Sequence, residues 1–110
     1  MIWHVIRVDF DDALPDLRDA VHRAMEALPR SIRELCWIRL GGRINGEPQS
    51  TVAVMAFEDA RGLEVYRAHP AHRAAQAEIA AAGGVVAEIH DFETADDPYG
   101  PIVRLPAEDG

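Results

Sequence analysis

His4, Tyr66 and His72 are of residue types that could carry acid–base chemistry without a metal or a cofactor. A neutral imidazole, with a pKa of about 6.5, can take a proton from a C–H group between two carbonyls. A phenol, with a pKa of about 10, can donate a hydrogen bond to the enolate that forms. An aldol or Claisen closure needs these functions, and His72 as base, Tyr66 as donor and His4 as orienter or second donor would supply them.

The same residue types also have purely structural uses. A histidine beside a proline at a helix start often closes a local hydrogen-bond network, and a buried tyrosine often only fills a core. His69 and His72 are three positions apart and could share a helical face, but no nearby carboxylate or cysteine supplies an evident third metal ligand. We therefore expect no metal. Cys36, the only cysteine, lies in an apolar run and is expected to be an inert core thiol without a disulfide.

The hydrophobic pattern predicts the elements that must position these groups. Alternating apolar residues predict four strands, over 1–10, 32–40, 51–57 and 85–92. Apolar residues three and four apart predict a helix ending near Pro29 and a second helical region after Asp59, which Pro70 interrupts. The order βαββαβ predicts an α+β, ferredoxin-like protomer with a four-stranded antiparallel sheet and its helices on one face.

Strand alternation also predicts which side chains share the face of the sheet under the helices with His4. This face forms an apolar chamber, and its predicted members are Ile6, Val8, Ala53, Met55, Ala87 and Ile89. Trp3, Val54 and Phe92 represent the opposite face, which is also apolar. An exposed sheet of that kind would form a large hydrophobic patch. We therefore predict that two sheets pack face to face in a homodimer.

The length and the net charge of the chain limit its number of domains and its partners. A chain of 110 residues corresponds to one domain, predicted over 1–94, followed by an extended arm over 95–110 in which Tyr99 could close a pocket mouth. The net charge of −8 repels phosphate backbones, so we expect no nucleic-acid partner. No apolar stretch approaches the roughly 18 residues of a membrane span, and no targeting segment is evident. We expect a cytoplasmic protein.

Several segments together resemble the stress-responsive A/B barrel (Dabb) family. The most specific is Tyr66 to His72, read as Tyr-x-x-His-Pro-x-His, and it is accompanied by 56–59, by 89–93 and by the histidine of the first strand. The resemblance covers about residues 1–94. It implies a ferredoxin-like protomer and a dimer whose two sheets form an α/β barrel, in agreement with the apolar faces.

The resemblance also implies a function, because one plant member of the family is a cofactor-independent polyketide cyclase. Its catalytic tyrosine and histidine match Tyr66 and His72, and its first-strand pocket histidine matches His4. The first helix departs from that enzyme, because small groups such as Val21 replace aromatic pocket residues. The implied activity is aldol-type ring closure of a polyketide-like poly-β-carbonyl substrate. The alternatives are a non-catalytic stress-responsive dimer that binds a small apolar ligand, and a cofactor-free monooxygenase.

Overall fold

The computed structural model describes residues 1–10, 15–46 and 48–94. It confirms the predicted ferredoxin-like βαββαβ order, with each helical region divided in two. The sheet order is β2-β3-β1-β4, and all neighbouring strands are antiparallel. The elements are β1 (Ile2–Phe10), α1 (Pro15–Glu26), α2 (Leu28–Ser31), β2 (Leu35–Gly42), β3 (Gln49–Phe57), α3 (Ala60–Ala68), α4 (Pro70–Ala81) and β4 (Gly84–Glu93). The predicted arm over 95–110, with Tyr99, lies outside the described residues.

The first helical region ends earlier than the spacing of apolar residues predicts. Helix α1 stops at Glu26, and the short helix α2 has Pro29 in its first turn, where a proline is tolerated because its missing N–H has no partner in any case. Ile32 then caps α2 and is fully buried, so β2 begins at Leu35. The apolar residues before Leu35 therefore serve the helix layer and not the sheet.

The core lies between the helices and one face of the sheet. Val8, Val21, Ala53 and Met55, all predicted to line a chamber, are buried in this core with at most 2% exposure. Tightly packed interiors leave few voids larger than a water molecule. These four side chains therefore hold the helices on the sheet and do not line the open cavity described below. No described helix has the length and apolarity needed to cross a membrane.

A β-bulge changes the predicted inner face of β4. Ile6 pairs with Ile89 as strict alternation requires, but the register shifts between Arg7 and Val8, so Val8 pairs with Val86. A bulge adds one residue to a strand and so interrupts the alternation of its faces. Ala87 has no partner in the register, is exposed and does not line the cavity, whereas Val86 does. Val86, and not the predicted Ala87, therefore lines the cavity.

A second irregularity, between Leu35 and Trp37, affects β2. Cys36 lies within it and is exposed, so the expectation of a core thiol is wrong. Leu35, directly before the irregularity, is buried as a strand residue on the helix side should be. After the strand, Gly46 has a positive φ of 78°, a conformation that favours glycine.

Candidate active site

A cavity of about 60 Å³ lies between the helices and the inner face of β1 and β4. Its polar lining consists of His4, Tyr66, His72 and Gln76. The remaining lining is apolar: Ile6, Met25, Leu28, Ala75, Ile79, Val86 and Ile89. Val86 and Ile89 are 41% and 58% exposed, so the cavity is open on the side of β4. A volume of this size accommodates a few water molecules or the reacting end of a larger compound.

His4 forms the base of the cavity and is held by a carboxylate. It is only 6% exposed, and its Nδ1 lies 2.5 Å from Asp91 Oδ1 on the neighbouring strand β4. The register explains the contact, because His4 and Asp91 are directly paired across β1 and β4. An ionised carboxylate can only accept, so Nδ1 carries the hydrogen and Nε2 of the neutral ring is an unprotonated acceptor.

His72 on α4 is fixed in the same tautomer by a different partner. Its Nδ1 donates to the backbone carbonyl oxygen of Arg67 at 3.1 Å. A carbonyl can only accept a hydrogen bond, so Nε2 of the neutral ring is again unprotonated. Burial lowers the pKa of His72 below its ordinary value of 6.5, and the bond to the Arg67 carbonyl opposes that shift in part. The ring is therefore neutral at pH 7.

Tyr66 on α3 lies between the two imidazoles. Its ring centroid is 4.3 Å from that of His72 and 5.9 Å from that of His4, and its far side packs on Phe57 at 5.3 Å. Burial raises the pKa of the Tyr66 phenol to about 12, so it keeps its proton at any physiological pH. Its hydroxyl makes no hydrogen bond to the part of the chain that the structure describes. It therefore remains available as a donor to a bound molecule.

The break between α3 and α4 brings Tyr66 and His72 together. His69 has extended backbone angles, and its Nδ1 accepts from the Ala71 N–H at 3.0 Å as the N-cap of α4. Pro70 follows at the first helical position, where its fixed φ suits a helix start. Asp59 caps α3 in the same way, through Gly62 N–H at 2.9 Å. His69 is thus a structural residue. The break it caps places His72 beside the end of α3.

Sequence reasoning located part of this site and missed part of it. Of the residues proposed from the sequence, His4, Tyr66, His72, Ile6 and Ile89 line one cavity. The structure adds Asp91, which hydrogen-bonds His4, and Arg67, whose Nη2 donates to Asp91 Oδ2 at 2.9 Å. Asp91 is one of several polar residues of β4, so no local pattern marks it as the partner of His4. Only the strand register shows that the two residues meet.

Two other histidines lie apart from the site. His22 on α1 is half-buried, with Nε2 2.5 Å from the hydroxyl of the buried Thr51. His90 pairs with Val5 on the opposite face of the sheet. Among residues 1–10, 15–46 and 48–94, no group of His, Cys, Asp and Glu side chains is arranged to hold a metal ion.

A larger surface cleft of about 370 Å³ lies beside Cys36, at the start of α3. Its lining is mostly charged and includes Arg33, Glu58 and Arg61. Partial desolvation and the nearby Glu58 raise the pKa of the Cys36 thiol, which lowers the fraction of reactive thiolate. The cleft contains no base placed against a nucleophile, so the smaller cavity at His4 is the stronger candidate despite its volume.

Solved structures with the same fold include both uncharacterised proteins and enzymes. A dimeric ferredoxin-like protein of unknown function from Thermobifida fusca is 28% identical, with a TM-score of 0.66, and the match covers 83% of this chain and 86% of that one. The cofactor-independent oxygenase SnoaB from Streptomyces nogalater is 15% identical, with a TM-score of 0.71 and coverage of 89% and 96%. The hydroxynitrile lyase from Passiflora edulis is 12% identical, with a TM-score of 0.69 and coverage of 88% and 97%.

No curated protein sequence matches the chain. The family model described as "Stress responsive A/B Barrel Domain" matches residues 2–93, which span every strand and helix described above. The segments that suggested this family, including Tyr66 to His72, lie inside that match. The chain therefore belongs to the stress-responsive A/B barrel domain family.

Proposed function

We propose that this protein is a cofactor-independent acid–base enzyme that forms or breaks a carbon–carbon bond beside a carbonyl, by aldol-type chemistry. The observation that carries the proposal is the 2.5 Å contact between His4 Nδ1 and Asp91 Oδ1 at an apolar cavity. A carboxylate in that position fixes the imidazole tautomer and stabilises the imidazolium that forms when Nε2 takes a proton. The likeness of the fold to a cofactor-independent oxygenase supports chemistry without a cofactor.

The hydrogen bonds favour His4 as the base. Burial disfavours the protonated form of His72, whereas Asp91 stabilises a protonated His4. In the proposed reaction, His4 Nε2 removes the proton from a carbon between two carbonyls, and the Tyr66 hydroxyl donates a hydrogen bond to the enolate oxygen. The enolate carbon attacks a second carbonyl, and the proton held by His4 returns to the new alkoxide. His72 supports the Tyr66 ring and provides a second neutral acceptor.

The cavity volume narrows the substrate class. A whole poly-β-carbonyl chain does not fit in about 60 Å³, since pockets for molecules of that size usually have about 300 Å³ or more. We infer that the enolisable end enters the cavity and that an apolar remainder extends over the exposed side chains of Val86 and Ile89. Ring closure of a polyketide-like substrate then requires a short reacting segment. A homodimer through the opposite face of the sheet leaves this entrance free.

The proposal is tested by proton exchange, which does not require the natural substrate. The probes are small β-keto esters and β-diketones in D₂O, and the readout is deuterium incorporation between the carbonyls, followed by NMR. We expect His4→Ala to slow the enzyme-catalysed exchange about 10²-fold, and Asp91→Asn and Tyr66→Phe by about tenfold or more. His90→Ala, on the opposite face of the sheet, is the matched control and should retain the full rate.

The competing functions give different results in the same experiment. A wild-type protein no faster than its His4→Ala variant would contradict the enzyme proposal and favour a non-catalytic dimer that binds a small apolar ligand. Oxygen consumption with these probes, recorded with an oxygen electrode, would indicate a cofactor-free monooxygenase. The small cavity is the observation that favours the ligand-binding alternative.

A further inference from the structure

Arg67 contacts the candidate site through two different groups. Its guanidinium Nη2 donates to Asp91 Oδ2 at 2.9 Å, while Asp91 Oδ1 accepts from His4 Nδ1 at 2.5 Å. Its backbone carbonyl accepts from His72 Nδ1 at 3.1 Å. One residue is therefore linked to both imidazoles, and each link leads to the nitrogen that determines the tautomer.

The helix break makes the Arg67 carbonyl available. In a continuous helix this carbonyl would accept from the N–H of Ala71, four residues later. Here α3 ends at Ala68, and the Ala71 N–H bonds to His69 Nδ1 instead. The last carbonyls of a helix have no partner within it and are satisfied from outside. The His72 ring, on the first turn of α4, supplies that partner for Arg67.

The guanidinium acts on His4 through the shared carboxylate. The Arg67 and Asp91 side chains are 51% and 37% exposed, so water screens the ion pair. The Asp91 carboxylate nevertheless accepts hydrogen bonds from both the Arg67 guanidinium and the His4 imidazole. The polar groups around His4 are Asp91 on β4, Tyr66 and Arg67 on α3, and His72 on α4. Arg67 is the permanent cation of this set and opposes the protonation of His4.

We propose that Arg67 is the positioning residue of this site, holding both histidines in the tautomer whose Nε2 is free: His72 through its carbonyl, and His4 through Asp91. The hydrogen bonds of Arg67 do not depend on the proposed function, whereas a role of Arg67 in catalysis rests on it. The Arg67 guanidinium also shares the Asp91 carboxylate with His4, so part of the negative charge beside His4 is compensated.

The test is an NMR titration of ¹⁵N-labelled histidine side chains, which needs no substrate. In Arg67→Gln we expect the titration midpoint of His4 to rise by about 0.5–1 pH unit, because the uncompensated Asp91 charge stabilises the imidazolium. Arg67→Lys keeps the charge and should restore most of the wild-type midpoint. His72 should keep its Nδ1–H tautomer in both variants, because the backbone carbonyl is unchanged.

Arg73→Gln is the matched control. Arg73 is an exposed residue of α4, close enough to His72 to affect its charge but without a hydrogen bond to Asp91. It should leave the His4 midpoint within about 0.2 pH unit of the wild type. The proposal is overturned if Arg67→Gln leaves the His4 midpoint unchanged, or if Arg73→Gln moves it equally. A shifted midpoint in a protein that catalyses no proton exchange would support the role of Arg67 and contradict the proposed function.

Discussion

At the scale of single residues, the site depends on neutral groups whose protons are held in defined positions. His4 and His72 each donate from Nδ1 to a fixed acceptor, and Tyr66 keeps its proton because burial raises its pKa to about 12. Each of these states has a cost or a benefit for folding as well as a use in catalysis, since a pKa that differs between the folded and unfolded chain links stability to pH.

Tyr66 should make the protein sensitive to alkali. Its pKa is raised from 10 in the unfolded chain to about 12 in the folded protein, so its contribution to stability is complete below pH 10 and is lost as the pH rises towards 12. The loss amounts to about 2–3 kcal/mol in the free energy of unfolding. The chain has no lysine, so few other groups titrate in this range. Urea unfolding at pH 9 and pH 11.5 measures the change.

Tyr66→Phe is the control for this prediction, because it keeps the ring and removes the ionisable group. The variant should lose clearly less stability than the wild type between the two pH values. Equal losses in both proteins would show that ionisation of Tyr66 does not limit alkaline stability.

At the scale of elements, the break between α3 and α4 determines the site more than either helix does. It places Tyr66 at the end of one helix and His72 at the start of the next, with ring centroids 4.3 Å apart. Pro70 prevents a continuous helix, and His69 satisfies the first N–H groups of α4. The His-Pro pair is therefore a capping device that serves the histidine three positions later.

His69→Ala should lower the free energy of unfolding by about 1 kcal/mol, because the Ala71 N–H loses its cap. His69→Asn keeps a side-chain acceptor at the N-cap and should recover most of that loss. Thermal or urea unfolding of the two variants beside the wild type measures the difference. Equal destabilisation by alanine and asparagine would argue against capping as the role of His69.

At the scale of the whole molecule, the helices that the structure describes lie on one face of the sheet. The other face carries Trp3 and Trp37, whose rings meet edge to face with centroids 5.7 Å apart, and the partly exposed Val52, Val54 and Phe92. Apolar area of this extent is unusual on a monomer and typical of an interface. Proteins with the same fold are dimeric, and the apolar face is where we predict the interface of a homodimer.

Val54→Glu should convert the dimer into a monomer. Val54 pairs with Val5 and Arg39 in the middle of the sheet, so a face-to-face dimer would have to bury a carboxylate and the neighbouring guanidinium, and the desolvation of both charges is costly. Light scattering after size-exclusion chromatography should give twice the 12.1 kDa chain mass for the wild type and the single mass for the variant. Leu17→Glu, on the exposed side of α1, is the control and should remain dimeric. A Val54→Glu dimer would place the interface elsewhere.

The resemblance of their segments to the stress-responsive A/B barrel family suggested the candidates His4, Tyr66 and His72. The sequence by itself determined the element order and the residues on each face of the sheet. These features follow from local patterns of period 2 and 3.6 and from the positions of proline and glycine, which act over a few residues. Only the tertiary structure decided the partners of those candidates. Asp91 meets His4 across 87 positions of the chain, and Arg67 meets Asp91 across 24, because strand register and a helix end bring them together. The exchange of Ala87 for Val86 has the same origin, since a bulge is a property of two paired strands and leaves no local pattern in either one.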